Sequence, residues 1–118
     1  MIEVLESLLG KRYDKIYYHC WTFVEEFYTK LNIKVPNIKH LVHILTRDGD
    51  FSKFTRLYFR EVPKYDGCMV LIGDKHIGIY YKDYIFHNDA PGVQAEREGV
   101  LKIKYSKKII YGEYNEIP

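Results

Sequence analysis

Side chains capable of acyl-transfer chemistry occur at three places in the sequence. Cys20 stands at the head of an amphipathic helical pattern, His76 opens a strand-like apolar run, and His87 closes the next one. A thiol at a helix N-terminus beside an imidazole is the arrangement from which cysteine hydrolases build a nucleophile and its base. These three residues are therefore candidates for a catalytic site.

The chemistry expected of this site depends on the pKa of the Cys20 thiol. A helix N-terminus and a neighbouring imidazolium both lower a thiol pKa and favour the thiolate. We therefore expect Cys20 to react below the pH at which a free thiol does, and His76 to protonate the leaving amine. A third polar group would fix the His76 tautomer through its other ring nitrogen, and His87, Asn88 and Asp89 are the candidates.

A hairpin decides which of these three residues shares a sheet face with His76. Two apolar runs flank the dipeptide Lys82-Asp83, which is a plausible two-residue turn. With this turn His76 lies opposite Asp89 and diagonal to His87, so that all three project from one face. A three-residue loop would shift the register by one and place Asn88 with His76 instead. The periodicity is compatible with both registers.

The surrounding pattern predicts helices first and strands after them. An apolar helix ended by Gly10 is followed by a polar loop, by a second helix from Cys20 to about Asn32, and by a third helix that Asn37 caps. The stretch 51–60 is ambiguous between helix and loop. After Pro63 the predicted strands are Cys68–Ile72, His76–Tyr81, Tyr84–His87, Gly92–Glu96, Leu101–Tyr105 and Ile109–Tyr114.

Length, composition and charge narrow the class of protein. The chain has 118 residues and is 47% apolar, which suits a single domain over residues 1–118. A formal net charge of +2 does not indicate the strongly basic surface that nucleic-acid binding requires. No apolar run is long enough for a bilayer, and no signal peptide is evident. We therefore expect synthesis in a cytoplasm, with no membrane or nucleic-acid partner, and release by lysis or assembly into a virion.

The other cysteine and two other histidines have simpler explanations than chemistry. Cys68 lies in a continuous apolar run, where a cysteine is ordinarily part of the core. His40 and His43 are spaced i, i+3 on the predicted third helix and could ligate a metal, but no carboxylate or cysteine accompanies them. Solvated or capping histidines are the simpler interpretation, so no metal site is expected.

Two segments of the sequence resemble the NlpC-type cysteine peptidases. Residues 10–24 contain GKRY and HCWTFV, which are similar to the G-x-x-Y and D-C-(S/W)-G-(F/L)-V opening of that family. Residues 66–87 contain DGCMVL, HIGIY and IFH, which resemble its G-D strand, H-x-G-I-Y and (F/I)-x-H segments. The resemblance covers most of the chain except roughly residues 32–62. It is closest to the small tail-assembly members encoded by bacteriophages.

The resemblance implies a small papain-like α+β domain, with N-terminal helices packed on an antiparallel sheet. It implies Cys20 as nucleophile, His76 as base and acid, and His87 as the orienting residue. Tyr13 matches a tyrosine that lines the site and helps to bind the oxyanion. The implied activity is cleavage of an amide bond in peptidoglycan stem peptides, without metal or cofactor. Peptidoglycan peptide and phage tail proteins are the implied partners.

Three departures from the family pattern concern the surroundings of the catalytic residues. His19 replaces the aspartate before the cysteine, Thr22 replaces the small residue after it, and Asp66-Gly67 inverts the Gly-Asp pair. These departures bear on the substrate site more than on the triad. Two alternative functions stay open: a thiol acyltransferase or amidase acting on another substrate, and a non-enzymatic tail-assembly protein that retains the fold.

Overall fold

The computed structural model describes residues 1–33, 59–73, 76–105 and 109–114, so the third predicted helix with His40 and His43 lies outside the described residues. Within these ranges the chain is α+β, as predicted, and contains no helix long and apolar enough to cross a membrane. The strands form an antiparallel sheet in the order β1-β6-β2-β3-β4-β5. The elements are α1 (Ile2–Leu8), α2 (Cys20–Lys30), β1 (Phe59–Glu61), β2 (Met69–Ile72), β3 (His76–Tyr81), β4 (Tyr84–Asp89), β5 (Gly92–Arg97), α3 (Glu98–Tyr105) and β6 (Ile109–Tyr114).

Apolar side chains cover both faces of the sheet. One face packs against α1 and α2, and the other against Leu101 of α3. Strand β2 lies at the centre and has all four of its residues buried, as its uninterrupted apolar run predicts. Cys68 is fully buried, which confirms it as a core residue. On the helix side the core consists of Trp21, Phe23 and Phe27 from α2 and of Met69, Ile77, Ile79 and Phe86 from the sheet. On the opposite side the sheet contributes Val70, Ile72, Tyr80 and Ile85.

Helix α2 begins at Cys20 because His19 caps it. The Nδ1 atom of His19 accepts a hydrogen bond from the Trp21 backbone N–H at 3.3 Å, and the His19 N–H donates to Thr22 Oγ1 at 2.7 Å. This reciprocal pair is a capping box, which satisfies amide groups that a helix start leaves unbonded. Two of the departures from the NlpC-type pattern, His19 and Thr22, therefore form the cap that places Cys20 at the helix N-terminus.

The hairpin between β3 and β4 has the two-residue turn. Lys82 and Asp83 both adopt positive φ, at 43° and 69°, as a tight turn matched to the twist of two strands requires. Gly78 pairs with His87, which confirms the first of the two predicted registers. The Lys82 N–H also donates to the Asp66 carboxylate at 2.9 Å, so the turn is held from outside the hairpin.

The segment Leu101–Tyr105 is helical, and its prediction as a strand was wrong. Its alternation of apolar residues and lysines does not match burial, because Leu101 is buried while Ile103 is 81% exposed. In a helix, Leu101 can face the sheet while Ile103 points to solvent. Glu98 and Lys102 also approach to 3.5 Å across one helical turn, a spacing that a strand does not offer.

The other predicted strands are present with small changes of boundary. Strands β4 and β5 extend to Asp89 and Arg97, and β6 has the predicted bounds. In the stretch 51–60, Phe59 and Arg60 belong to β1, and the rest lies outside the described residues.

The loop after α1 is joined to the edge strand β5. The Val93 N–H donates to the Lys11 carbonyl at 2.9 Å, and the Tyr13 N–H donates to the Pro91 carbonyl at 3.0 Å. A Cβ atom added at Gly92 would lie 2.5 Å from the Lys11 oxygen, so this approach depends on a glycine. The loop thereby holds Tyr13 beside the segment that joins β4 to β5.

A matched pair of glycine substitutions tests this attachment. Gly92→Ala forces the loop away from β5 and should lower the free energy of unfolding by about 1–3 kcal/mol. Gly99→Ala lies in α3 with nothing within 4 Å of the added carbon, and should raise the free energy of unfolding by about 0.5–1 kcal/mol. Urea denaturation followed by circular dichroism measures both. Equal effects of the two substitutions would contradict the close approach at Gly92.

Candidate active site

His76 and His87 are in direct contact. The Nε2 atom of His76 lies 2.8 Å from Nδ1 of His87, and the two rings meet edge to face at 84°. His87 is fully buried, whereas His76 is partly exposed. Because its Nε2 is engaged by His87, His76 can offer only Nδ1 to a thiol. The contact is the one that the two-residue register predicts.

Asp89 lies beside the two histidines. One ligand atom from each of His76, His87 and Asp89 lies within 4.8 Å of the others, and these three residues are called the histidine cluster below. Behind His87, its Nε2 atom is 3.9 Å from the Glu96 carboxylate, which also binds the Lys104 ammonium at 3.2 Å. The cluster is therefore bordered by a carboxylate and an ammonium group.

Asn88 faces away from the histidine cluster. Its side-chain amide donates to the Tyr18 carbonyl at 2.9 Å and to the His19 carbonyl at 3.3 Å, and the residue is 1% exposed. The alternative in which Asn88 orients His76 required the three-residue loop, and the observed register excludes it. Asn88 instead binds the two peptide groups that precede Cys20.

Cys20 and the two histidines belong to opposite faces of the sheet. Helix α2 packs on the face that carries Ile77, whereas His76 and His87 project from the opposite face. The pairing of β3 with β4 stops at His87, and the strand ends beyond that point are not paired with each other. The backbone N–H of Ile77 lowers the pKa of Cys20 by hydrogen bonding. Cys20 is therefore near the backbone of the residue that follows His76.

Asp89 links the thiol and the histidines electrostatically. Its negative charge raises the pKa of Cys20, in the same direction as the larger effect of burial. It also raises the pKa of His76, where the larger effect of burial acts in the opposite direction. The pKa of Tyr13 is raised as well, first by burial and then by the charges of Cys20 and Asp89. Charges act appreciably over short distances only, so Asp89 has both the thiol and the His76 ring as neighbours.

The resting site contains a neutral thiol and a neutral imidazole. Burial raises the pKa of Cys20 to about 12, although the N–H groups of Ile77, Trp21 and Cys20 itself lower it. The pKa of His76 is lowered, first by burial and then by the neighbouring His87. The expectation of a lowered thiol pKa was therefore wrong, because loss of water outweighs the helix terminus here. As a residue Cys20 nevertheless keeps some exposure, whereas Cys68 is fully buried.

Sequence reasoning named Asn88 only as a candidate orienting residue, missed Glu96, and found Tyr13. Asn88 shares a strand face with Phe86, so the alternation of β4 contained the signal for its role. Glu96 lies next to His87 only because of the pairing between β4 and β5, which the sequence did not specify. Tyr13, expected from the resemblance alone, lies within electrostatic reach of Cys20.

Comparison of the chain with protein-family models, with curated proteins and with solved structures finds no match.

The pH dependence of alkylation tests the state of the thiol. With the pKa of Cys20 near 12, its reaction with iodoacetamide should be slow at pH 7 and should accelerate up to at least pH 10, because only the thiolate reacts. Cys68 should react only after unfolding, since it is fully buried. Peptide mass spectrometry resolves the two rates. A Cys20 rate that levels off below pH 8 would indicate a thiolate–imidazolium pair instead.

Two substitutions of Asn88 test the anchoring of the loop. Asn88→Ala leaves two carbonyls without their donor and should lower the free energy of unfolding by about 1–3 kcal/mol. Asn88→Asp should cost at least as much at pH 7, because a carboxylate would face two carbonyl oxygens. Chemical denaturation measures both, with Glu6→Ala on the exposed side of α1 as the control. Full stability of Asn88→Asp would show that the amide does not hold the loop.

Proposed function

We propose that this chain is a cysteine hydrolase of amide bonds with a small papain-like, NlpC-type fold. Cys20 is the nucleophile, His76 the base and acid, and His87 the orienting residue. The observation that supports the proposal is the 2.8 Å contact between His76 Nε2 and His87 Nδ1, beside which the Ile77 N–H lowers the pKa of Cys20. Both observations concern the end of the β3–β4 hairpin where His76 and His87 lie, and they support a thiol that acts there with an oriented imidazole.

The tautomers needed for catalysis follow from the contacts of the two rings. His76 accepts a thiol proton at Nδ1 only if its own hydrogen is on Nε2, where it donates to His87 Nδ1. His87 then carries its hydrogen on Nε2, which faces the Glu96 carboxylate at 3.9 Å. Glu96 and His87 thus favour the working tautomer of His76 and stabilise the imidazolium that forms during the reaction.

The neutral resting pair sets the order of events. As the Cys20 sulfur attacks the carbonyl carbon, His76 Nδ1 takes the thiol proton, so that thiolate and imidazolium form together. The imidazolium then gives this proton to the leaving amine, and a thioester remains on Cys20. Water hydrolyses the thioester with His76 as base, which regenerates the thiol and releases the acid.

Two donors are available for the negative oxygen of the tetrahedral intermediate. The Cys20 backbone N–H lies at the start of α2, where helix amides lack acceptors within the helix. The Tyr13 hydroxyl is near the thiol, and its raised pKa keeps it protonated at neutral pH. Either group can donate to the oxyanion, and loss of one such donor typically lowers the turnover number about 100- to 1000-fold.

Peptidoglycan stem peptides are the proposed substrate class. The support comes from the resemblance of residues 10–24 and 66–87 to NlpC-type peptidases, and we propose a phage tail-associated or lysis-associated enzyme on the same grounds. The chemistry of a thioester is equally compatible with transfer to an amine, so an acyltransferase remains the alternative enzymatic function. A tail-assembly protein without activity is the non-enzymatic alternative.

Mass spectrometry of muropeptides after incubation with purified sacculi tests the proposal. The wild type should release stem-peptide fragments, and Cys20→Ala should release none. Cys68→Ala is the matched thiol control and should keep activity wherever it folds. His76→Ala should abolish turnover, while His87→Ala should cost about ten- to a thousand-fold and His87→Asn should recover part of that loss.

The outcomes separate the three functions. New amide-linked products rather than hydrolysed peptides would identify an acyltransferase. Equal activity of wild type and Cys20→Ala would remove the thiol from the mechanism. A harmless His87→Ala together with an inactive Asp89→Ala would transfer the orienting role to Asp89.

A further inference from the structure

We propose that the histidine cluster is a binding site for a divalent cation of the Zn²⁺ type. His76, His87 and Asp89 each offer one ligand atom, and these atoms all lie within 4.8 Å of one another. Two imidazole nitrogens with one carboxylate oxygen form a donor set that suits Zn²⁺, Co²⁺ or Ni²⁺ better than the oxygen-seeking Mg²⁺ or Ca²⁺. Three protein ligands leave one tetrahedral position for water.

The spacing of the two nitrogens is close to what a metal needs. His76 Nε2 and His87 Nδ1 are 2.8 Å apart. Two nitrogens bound to tetrahedral Zn²⁺ at about 2.0–2.1 Å are roughly 3.3 Å apart. The rings must therefore separate by about half an ångström, which small side-chain rotations supply. In the absence of metal a shared hydrogen holds the same two nitrogens together.

Glu96 favours the form of His87 that a metal requires. For Nδ1 to bind a cation, the hydrogen of the neutral ring must be on Nε2, the atom that faces the Glu96 carboxylate at 3.9 Å. A carboxylate behind a ligating histidine is a common outer partner at zinc sites. The His87 hydrogen stays on Nε2 and the His76 hydrogen moves from Nε2 to Nδ1, so binding to neutral rings requires no net loss of a proton.

The charges around the cluster also favour a cation. Asp89 and Glu96 supply two carboxylates, against one ammonium from Lys104, which is itself bound to Glu96 at 3.2 Å. His87 is fully buried, so a metal bound to it would be held away from bulk water on that side.

A bound metal would switch off the hydrolase, a consequence that rests on the proposed function. With the cation on Nε2, the His76 ring carries its hydrogen on Nδ1. That nitrogen then has no lone pair to accept the thiol proton. The metal therefore competes with catalysis without touching Cys20.

Titration of the metal-free full chain with ZnCl₂ against a fluorescent zinc indicator tests the site. We expect one Zn²⁺ per chain for the wild type and for Cys20→Ala, since the thiol is not a ligand. His87→Ala should weaken binding at least about 100-fold, and Glu96→Ala about 10- to 100-fold. The double variant His40→Ala/His43→Ala is the matched control and should bind as the wild type does.

Asp89→Asn keeps the test independent of folding, because it preserves size and the Asp89 side chain is not fully buried. It should weaken Zn²⁺ binding at least about 10-fold while circular dichroism is unchanged. Unchanged affinity in both His87→Ala and Asp89→Asn, or loss of binding in the His40/His43 control, would overturn the proposal. A wild type that binds Zn²⁺ at the cluster but cleaves no muropeptide when it is metal-free would disprove the hydrolase and leave the metal site standing.

Discussion

The register of the β3–β4 hairpin is the constraint on which the rest of the site depends. Lys82 and Asp83 fix it through their left-handed conformations, and the bond from the Lys82 N–H to Asp66 secures the turn. Side chains alternate between faces along a strand, so a slip by one residue would exchange His87 for Asn88 on the face of His76. One local turn thus decides whether two imidazoles meet.

Consecutive residues of strand β4 project to opposite faces of the sheet and have different roles. His87 projects to the histidine cluster, while the next residue, Asn88, holds the carbonyls of Tyr18 and His19 on the opposite face. The thiol of Cys20 follows directly after those carbonyls. Because the strand is a continuous rigid element, movement of the loop before Cys20 is restrained by the same strand that positions the histidine. Ile77 lies beyond the last paired residues of β3 and β4, and its N–H lowers the pKa of Cys20.

Much of this arrangement could be predicted from the sequence, since turns and strand alternation are local. The hairpin, the central strand β2 and the start of α2 at Cys20 all follow from short patterns. The segment Leu101–Tyr105 could not be predicted in this way, because its alternation reflects exposed residues such as Ile103 rather than a buried face. The raised pKa of the Cys20 thiol could not be predicted either. Its main cause is burial, which depends on packing that no local sequence pattern encodes and which outweighs the effect of the helix N-terminus.

The proposed hydrolase activity and the proposed metal site place opposite requirements on one hydrogen, that of the His76 ring. Catalysis needs the His76 hydrogen on Nε2, between the two rings, whereas a metal occupies that position and moves the hydrogen to Nδ1. Glu96 favours the same tautomer of His87 in both states, because in each case Nδ1 of His87 must present its lone pair toward His76. The two states therefore differ in a single ring, His76. A proton between the histidines gives a base at the thiol, and a cation between them removes it.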